Sequence, residues 1–176
     1  METSIKSNAI NYGLYLGGAL ALLTIYAYAV NLDLFTKWWY GIALMVLVIV
    51  FGIISSVTSK KLFAGIISFK GAFSSYFITI AIGIIISAVV SYIIFNVIDP
   101  DAAKLLQEKI LDSQVAMMRG FGAPEDSIAD VVEQIESEDN MFALGKVLQS
   151  IAFQLVGFSV VGLIVAMVVK KDVPLD

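Results

Sequence analysis

The chain has 176 residues, of which 59% are hydrophobic and 15% charged. A soluble domain is typically about 45–50% apolar and about 25% charged, so the composition indicates an integral membrane protein. The lack of cysteine and histidine excludes disulfides, thiolate chemistry and imidazole metal sites. The net charge of −4 argues against nucleic acid as a partner.

Four stretches are long and apolar enough to cross a bilayer, which takes about 20 helical residues. The predicted spans run from about Ala9 to Val30, Trp38 to Val57, Ala72 to Val97 and Leu144 to Val169. The length and tyrosines of the first stretch favour a retained span over a cleaved signal peptide. We therefore predict an all-α membrane protein whose residues 1–176 form a single four-span domain.

Residues at the span ends have the character of interfacial anchors. Aromatic rings and lysines are frequent where spans meet the membrane surface. The predicted anchors are Trp38, Trp39, Lys60, Lys61, Phe69, Lys70, Phe73, Lys170 and Lys171. The segment 59–70 is too short to span and predicts an interfacial turn or short helix.

Residues 99–140 predict an acidic helical insertion between the third and fourth spans. Asp99 is suited to cap a helix that has Pro100 at its first position. The glycines from Gly120 onward predict its end, and Pro124 predicts the start of a second helix. The second helix has one apolar face, formed by Ile128, Val131, Val132 and Ile135. The spacing predicts an amphipathic helical hairpin.

The charges predict an orientation. One side of a four-span arrangement carries six lysines and three acids, and the other carries five basic and twelve acidic residues. Three of those five basic residues lie far from any span end, and the positive-inside rule weighs residues close to the ends. We expect both termini in the cytoplasm and the hairpin outside it.

Rows of small residues predict where spans pack closely, because small side chains let helix backbones approach in lipid. The third span carries Gly71, Ser75, Thr79, Gly83, Ser87 and Ser91, one every four residues. The first span carries Ala9, Gly13, Gly17 and Ala21. These rows predict packing within the chain or, alternatively, a seam between copies of it.

Polar residues within spans are the usual pointers to transport. Asn96, Gln149 and Gln154 form the candidate polar site, and hydrogen bonding between helices is the alternative. No motif marks a nucleophile and its base, so we expect no enzyme, no metal and no cofactor. A lipid enzyme using Lys60, Lys61 and Lys70 is the least favoured alternative.

We predict a non-catalytic membrane subunit or scaffold of the cell envelope, which acts through helix packing and its hairpin. The expected partners are membrane lipids and another membrane or envelope protein, or a homo-oligomer. The alternative is a small transporter or channel for a small molecule or a lipid-linked substrate.

The order of these elements resembles a known family. It combines two spans, a basic turn with Ser68-Phe69-Lys70-Gly71-Ala72-Phe73, a third span, an acidic segment from Asp99-Pro100 and a fourth span ending in Lys170-Lys171. This is similar to small bacterial membrane proteins grouped as domain of unknown function 4199. The resemblance implies four helices in a bacterial cytoplasmic membrane and brings no established activity, cofactor or site residues.

Overall fold

The computed structural model describes residues 2–137 and 140–171, without the side chains of residues 2, 3 and 136. Within these ranges the fold is all-helical. The six helices are α1 (Glu2–Val30), α2 (Trp38–Leu62), α3 (Phe69–Tyr92), α4 (Pro100–Gly120), α5 (Glu125–Glu136) and α6 (Leu144–Val169). Four acidic residues counted in the orientation argument, Glu138, Asp139, Asp172 and Asp176, lie outside the described residues.

The prediction of four long apolar helices is confirmed. Helices α1, α2, α6 and the continuous stretch Phe69–Ile98 have the length and composition of membrane spans. The bounds of α6 are those predicted, whereas α1 begins earlier than Ala9 and α2 extends past Val57. Lysines in the last turn of α2 favour this extension, because cations stabilise the carbonyl end of a helix.

Helix α3 is the centre of the bundle and packs against α1, α2 and α6. Its contact with α1 is the most extensive, and small residues make it close. A Cβ added at Gly83 of α3 would lie 2.5 Å from Leu16 Cδ2, and one at Gly17 of α1 would lie 2.6 Å from Ile86 Cδ1. The backbones therefore approach within a distance that larger residues would prevent.

The basic end of the bundle is closed by a short connection between α2 and α3. Residues 63–68 form this turn, with Ala64 and Gly65 at positive φ. Ser68 caps α3 by accepting a hydrogen bond from the Gly71 N–H. Ile67 and Lys171 exchange two backbone hydrogen bonds, of 2.9 and 3.2 Å. The C-terminal end of α6 is thus fastened to the turn before α3.

At the other, acidic end α3 continues as a π-helical turn, Ile93–Ile98, and leads directly into α4. The predicted cap is present, since Asp99 Oδ1 accepts a hydrogen bond from the Ala102 N–H at 2.9 Å. Gly122 has φ 74° in the turn between α4 and α5. The two helices of the acidic segment are confirmed, and among the described helices α5 packs only on α4.

Candidate functional site

A network of hydroxyl groups joins α1, α2 and α3 in the basic half of the bundle. Ser75 Oγ of α3 lies 2.8 Å from Ser59 Oγ and 2.9 Å from Ser55 Oγ, both on α2. Asn8 of α1 donates to Ser59 Oγ at 2.9 Å. Thr79 Oγ1 donates at 2.7 Å to Ser55 Oγ, and also lies within reach of two carbonyl oxygens.

The four hydroxyl groups of the network are buried, and each has a hydrogen-bond partner. The Ser55, Ser59, Ser75 and Thr79 side chains have 0% exposure, and each has a partner in the contacts just given. Ser56, also fully buried, donates to the Ala72 carbonyl oxygen at 2.9 Å. An unpaired polar group in such surroundings costs free energy that pairing recovers. The network therefore fixes the register of the three helices.

A tyrosine ring held between two glycines lies in the basic half of the bundle. Tyr76 of α3 is fully buried. A Cβ at Gly52 of α2 would lie 2.6 Å from Cδ2 and Cε2 of this ring, and a Cβ at Gly162 of α6 would lie 2.6 Å from Cδ1. The Tyr76 hydroxyl is buried and has no hydrogen-bond partner among the described residues. The ring closes the bundle between α2, α3 and α6.

A cleft of about 480 Å³ lies between α2, α3 and α6 in the acidic half. Among the described residues, its polar lining consists of Ser87, Ser91, Lys146, Ser150 and Gln154, of which Lys146 is charged. Val48 and Phe158 lie at its deep end, one helical turn from the glycines that hold Tyr76. The cleft thus ends about one helical turn from the Tyr76 ring.

The three residues of the predicted polar site have separate environments. The Asn96 amide donates to the Phe142 carbonyl oxygen at 2.7 Å and accepts from Asn140 at 2.8 Å. It therefore ties the π-helical turn to the segment before α6. Gln154 donates to Ser150 Oγ at 3.0 Å and lines the cleft, whereas Gln149 is exposed and does not.

The α4 helix is fastened to the ends of the spans by polar contacts. Tyr28 of α1 donates to Asp99 Oδ2 at 2.9 Å, and Lys109 of α4 pairs with Asp33 at 2.5 Å. The hydrogen bond and charge of Lys109 lower the pKa of Asp33. The Ala102 N–H, followed by the Tyr28 hydroxyl, lowers the pKa of Asp99.

An apolar cluster completes this junction. Phe95 of the π-helical turn and Leu106 of α4 are fully buried in it. The Phe95 ring stacks on Phe142 with 4.3 Å between centroids. The α4–α5 pair, defined as residues 100–136, thus packs on a cluster that is formed by the span ends and the segment before α6.

The row of small residues predicted on α3 makes different contacts along its length. Ser75 and Thr79 belong to the hydroxyl network, and Gly83 contacts α1. On α1, Gly13 faces Ile82 of α3, with 2.8 Å from an added Cβ to the Ile82 Cβ. Nearer the acidic end, Ser87 and Ser91 line the cleft. Gly71, at the opposite end, lies beside Ile67.

The predicted anchor residues lie at or next to the ends of α2, α3 and α6. Trp38 has 77% exposure and Trp39 has 48%, while Tyr40 turns inward and donates to the Leu23 carbonyl oxygen at 2.8 Å. The other exposed anchors are Lys61, Phe69, Lys70, Lys170 and Lys171, and the half-buried ones are Lys60 and Phe73. Phe69 and Phe73 stack, with 6.5 Å between centroids.

Sequence reasoning missed the polar side of α2. Ser55 and Ser59 are four residues apart, as are Ser75 and Thr79, so each pair lies on one face of its helix. This spacing was the available signal. No sequence signal marked the position of Tyr76, because the two glycines that contact its ring lie on other helices.

The chain belongs to a family described as protein of unknown function (DUF4199), whose model matches residues 11–171. This confirms the resemblance stated from the sequence. Comparison with curated proteins and with solved structures gave no significant match.

Proposed function

We propose that the protein is a non-catalytic subunit or scaffold of a bacterial cytoplasmic membrane, which presents its α4–α5 pair to a partner outside the cytoplasm. The observation that carries this proposal is the attachment of α4. Polar contacts at Asp99 and Lys109 and the cluster around Phe95 hold α4 on the span ends. Helix α5 is therefore kept at a defined place.

The outer surface of the α4–α5 pair supports a binding role. In α5, Asp126, Asp130 and Glu133 are exposed, and Phe121 at the tip has 86% exposure. Exposed aromatic rings are enriched at protein interfaces. The pair has no catalytic arrangement among its described residues, and its Lys and Arg side chains are far outnumbered by acids.

The proposed orientation follows from the distribution of lysines. Lys6, Lys60, Lys61, Lys70, Lys170 and Lys171 are all at the end where α1 and α3 begin. Positively charged flanks favour the cytoplasmic side. The chain has no cysteine, so a single introduced thiol reports its own side. We expect a membrane-impermeant maleimide to label Ser127→Cys from outside intact cells and Ser4→Cys only after lysis; the reverse pattern would overturn the orientation.

The partner is tested by photo-crosslinking from α5. A photoreactive amino acid at position 130 faces outward on α5, and one at position 153 of α6 serves as the control on an exposed apolar helix face. We expect one discrete adduct from position 130 in native membranes, of twice the chain mass if the partner is a second copy. Lipid adducts alone from both positions would contradict a scaffold.

Transport is the second candidate, and the cleft in the acidic half favours it. A transport path has to continue past Tyr76, which lies between Gly52 and Gly162. Solute uptake into proteoliposomes tests this candidate, with Tyr76→Ala as the variant that opens the passage. If neither the parent protein nor Tyr76→Ala takes up solute, transport is excluded as a function.

A further inference from the structure

The outer face of α1 carries polar groups on the side that faces away from the bundle. Asn11 and Tyr15 are exposed and lie one turn apart on this helix. By contrast, the neighbouring Asn8 and Tyr12 form hydrogen bonds with α2, at 2.9 and 3.3 Å. The Asn11 amide and the Tyr15 hydroxyl have no hydrogen-bond partner in the described part of the chain.

Both groups belong to the span-like part of α1, Ser4–Val30. Asn8 bonds to Ser59, which directly precedes the lysines in the last turn of α2, and lysines at a span end mark the headgroup level. Asn11 is three residues further along α1 and therefore lies about 4.5 Å deeper, at about 1.5 Å per residue. In lipid, where water is scarce, an amide without a partner is costly. A hydrogen-bonding partner beside α1 would remove this cost.

An open glycine lies on the same face of α1. Gly18 comes seven residues after Asn11, which is about two turns, so the two positions lie one above the other. A Cβ added at Gly18 meets no atom within 4 Å, whereas one at Gly13 or Gly17 would lie less than 3 Å from a side chain of α3. Glycine destabilises a helix interior relative to alanine, and in membranes it lets a second helix backbone approach closely. Position 18 thus has the character of a contact that the described chain does not fill.

The exposed residues of this face follow a heptad spacing. Steps of three and four residues alternate from Ser4 to Gly18, and a further step of seven reaches Ile25. We call this face the α1 seam; it consists of Ser4, Ser7, Asn11, Leu14, Gly18 and Ile25, all exposed. The spacing is typical of helices that pack side by side at a crossing angle of about 20°. A hollow of about 440 Å³ between Asn11 and Leu62 leaves room for a side chain of such a second helix.

We propose that two copies of the chain pair through the α1 seam, with the Asn11 amides of the two copies hydrogen-bonded to each other. An amide both donates and accepts hydrogen bonds, so it is complementary to itself. Two copies inserted the same way are related by a two-fold axis along the membrane normal, so a seam residue meets its own counterpart at the same depth. Gly18 then meets Gly18, where the backbones come closest. The inference does not depend on the scaffold role, which a monomeric protein would leave standing.

Disulfide crosslinking of the full-length protein tests the seam, since the chain has no cysteine of its own. Single cysteines at Ser7 and Gly18 lie on the seam. The controls are Ile10→Cys, rotated by about 80° from Gly18 on the same helix, and Val160→Cys on the exposed face of α6. Each protein is oxidised in lipid vesicles at a low ratio of protein to lipid. We expect a product of twice the chain mass from the seam positions at a yield at least about tenfold above the controls, because a disulfide needs Cβ atoms about 4 Å apart.

The contributions of the amide and the glycine are tested by the strength of association. Energy transfer between copies labelled at Ser127→Cys is followed as the vesicles are diluted with lipid. Asn11→Leu should raise the dissociation constant of the pair about tenfold, which corresponds to about 1.4 kcal/mol, and Gly18→Ile should raise it at least as much. The matched controls on α6 are Gln149→Leu, which removes an exposed amide, and Gly157→Ile, at an equally open glycine. Both controls should leave the dissociation constant unchanged.

Three outcomes would overturn the proposal. These are a monomer at every ratio of protein to lipid, equal crosslinking from Gly18→Cys and Ile10→Cys, and equal dissociation constants of the parent protein and Asn11→Leu. Crosslinks to a different protein in native membranes, without a product of twice the chain mass, would likewise exclude a second copy at the seam. Because the side chain of Asn11 is exposed and a Cβ at position 18 meets no atom within 4 Å, these replacements leave the packing within the chain intact.

Discussion

Adding one methyl group at Gly162 tests whether the Tyr76 ring holds the bundle together. The new Cβ would lie 2.6 Å from Tyr76 Cδ1, and the ring has no room to move away because Gly52 approaches its other edge equally closely. Overpacking a core costs about 1–3 kcal/mol. Since the ring is held on both sides, we expect Gly162→Ala to cost about 3 kcal/mol, the upper end of that range.

The matched control is Gly157→Ala, on the same helix. A Cβ there meets no atom within 4 Å, and replacing a helical glycine by alanine gains about 0.5–1 kcal/mol. Unfolding is followed by far-ultraviolet circular dichroism as sodium dodecyl sulfate is added to the protein in a mild non-ionic detergent. Gly162→Ala should therefore lower the unfolding free energy relative to the parent protein, and Gly157→Ala should raise it.

A double variant separates the ring contact from a general effect of position 162. Tyr76→Leu removes the ring, and in that background Gly162→Ala should cost less than about 1 kcal/mol, which is the low end of overpacking. The difference between the two backgrounds is the coupling energy. Equal costs in both backgrounds, or equal stability of Gly162→Ala and Gly157→Ala, would refute the reasoning.

Three further predictions concern single polar groups. Tyr76→Phe removes a buried hydroxyl that has no hydrogen-bond partner in the described part of the chain. It should leave the unfolding free energy unchanged or raise it by up to about 1–3 kcal/mol, measured in the same titration. Thr79→Val keeps the shape of the side chain and loses its hydrogen bonds to α1 and α2. It should lower the unfolding free energy by about 0.6–1.7 kcal/mol, the range for such bonds between membrane helices. An unchanged unfolding free energy would mean that the network does not stabilise the fold. Asp33→Asn should speed hydrogen exchange of α4 at pH 6, because it removes the partner of Lys109. The pKa of Asp33 is lowered in the fold, so this stabilisation is complete above the unfolded value of about 3.9 and is lost as the pH falls through the folded value. The exchange rates of α4 in the two proteins should become equal as the pH falls through that value. A constant difference between these rates down to pH 3 would contradict a stabilising pair between Asp33 and Lys109.

The spans were predictable because their signal is local. An apolar stretch of about 20 residues is costly to expose to water wherever its neighbours lie, and α6 begins and ends at the predicted residues, Leu144 and Val169. The start of α4 was equally local, since Asp99 and Pro100 act within one turn. The early start of α1 was missed because polar residues extend a helix past the hydrocarbon core.

Neither the cleft nor the packing of the Tyr76 ring between two glycines could be predicted from the sequence, and the reason is physical. Each depends on which helices are neighbours, and a row of small residues has the same spacing whether it faces a backbone or a cavity. Gly83 and Ser87 belong to one row on α3, yet Gly83 contacts Leu16 while Ser87 lines open space. Asn96 and Gln154 could be recognised as polar positions in spans, but their hydrogen-bond partners, which lie in the segment before α6 and at Ser150, could not.

The π-helical turn at Ile93–Ile98 sets the angle at which α4 leaves the bundle. A π turn holds one more residue than an α turn, and each residue of a helix corresponds to a rotation of about 100°. Deleting a single residue here would restore regular α-helix and swing Phe95 out of its stack on Phe142. The direction in which α5 points therefore depends on chain length at this turn, and a one-residue deletion would redirect the whole acidic surface without altering any residue in it.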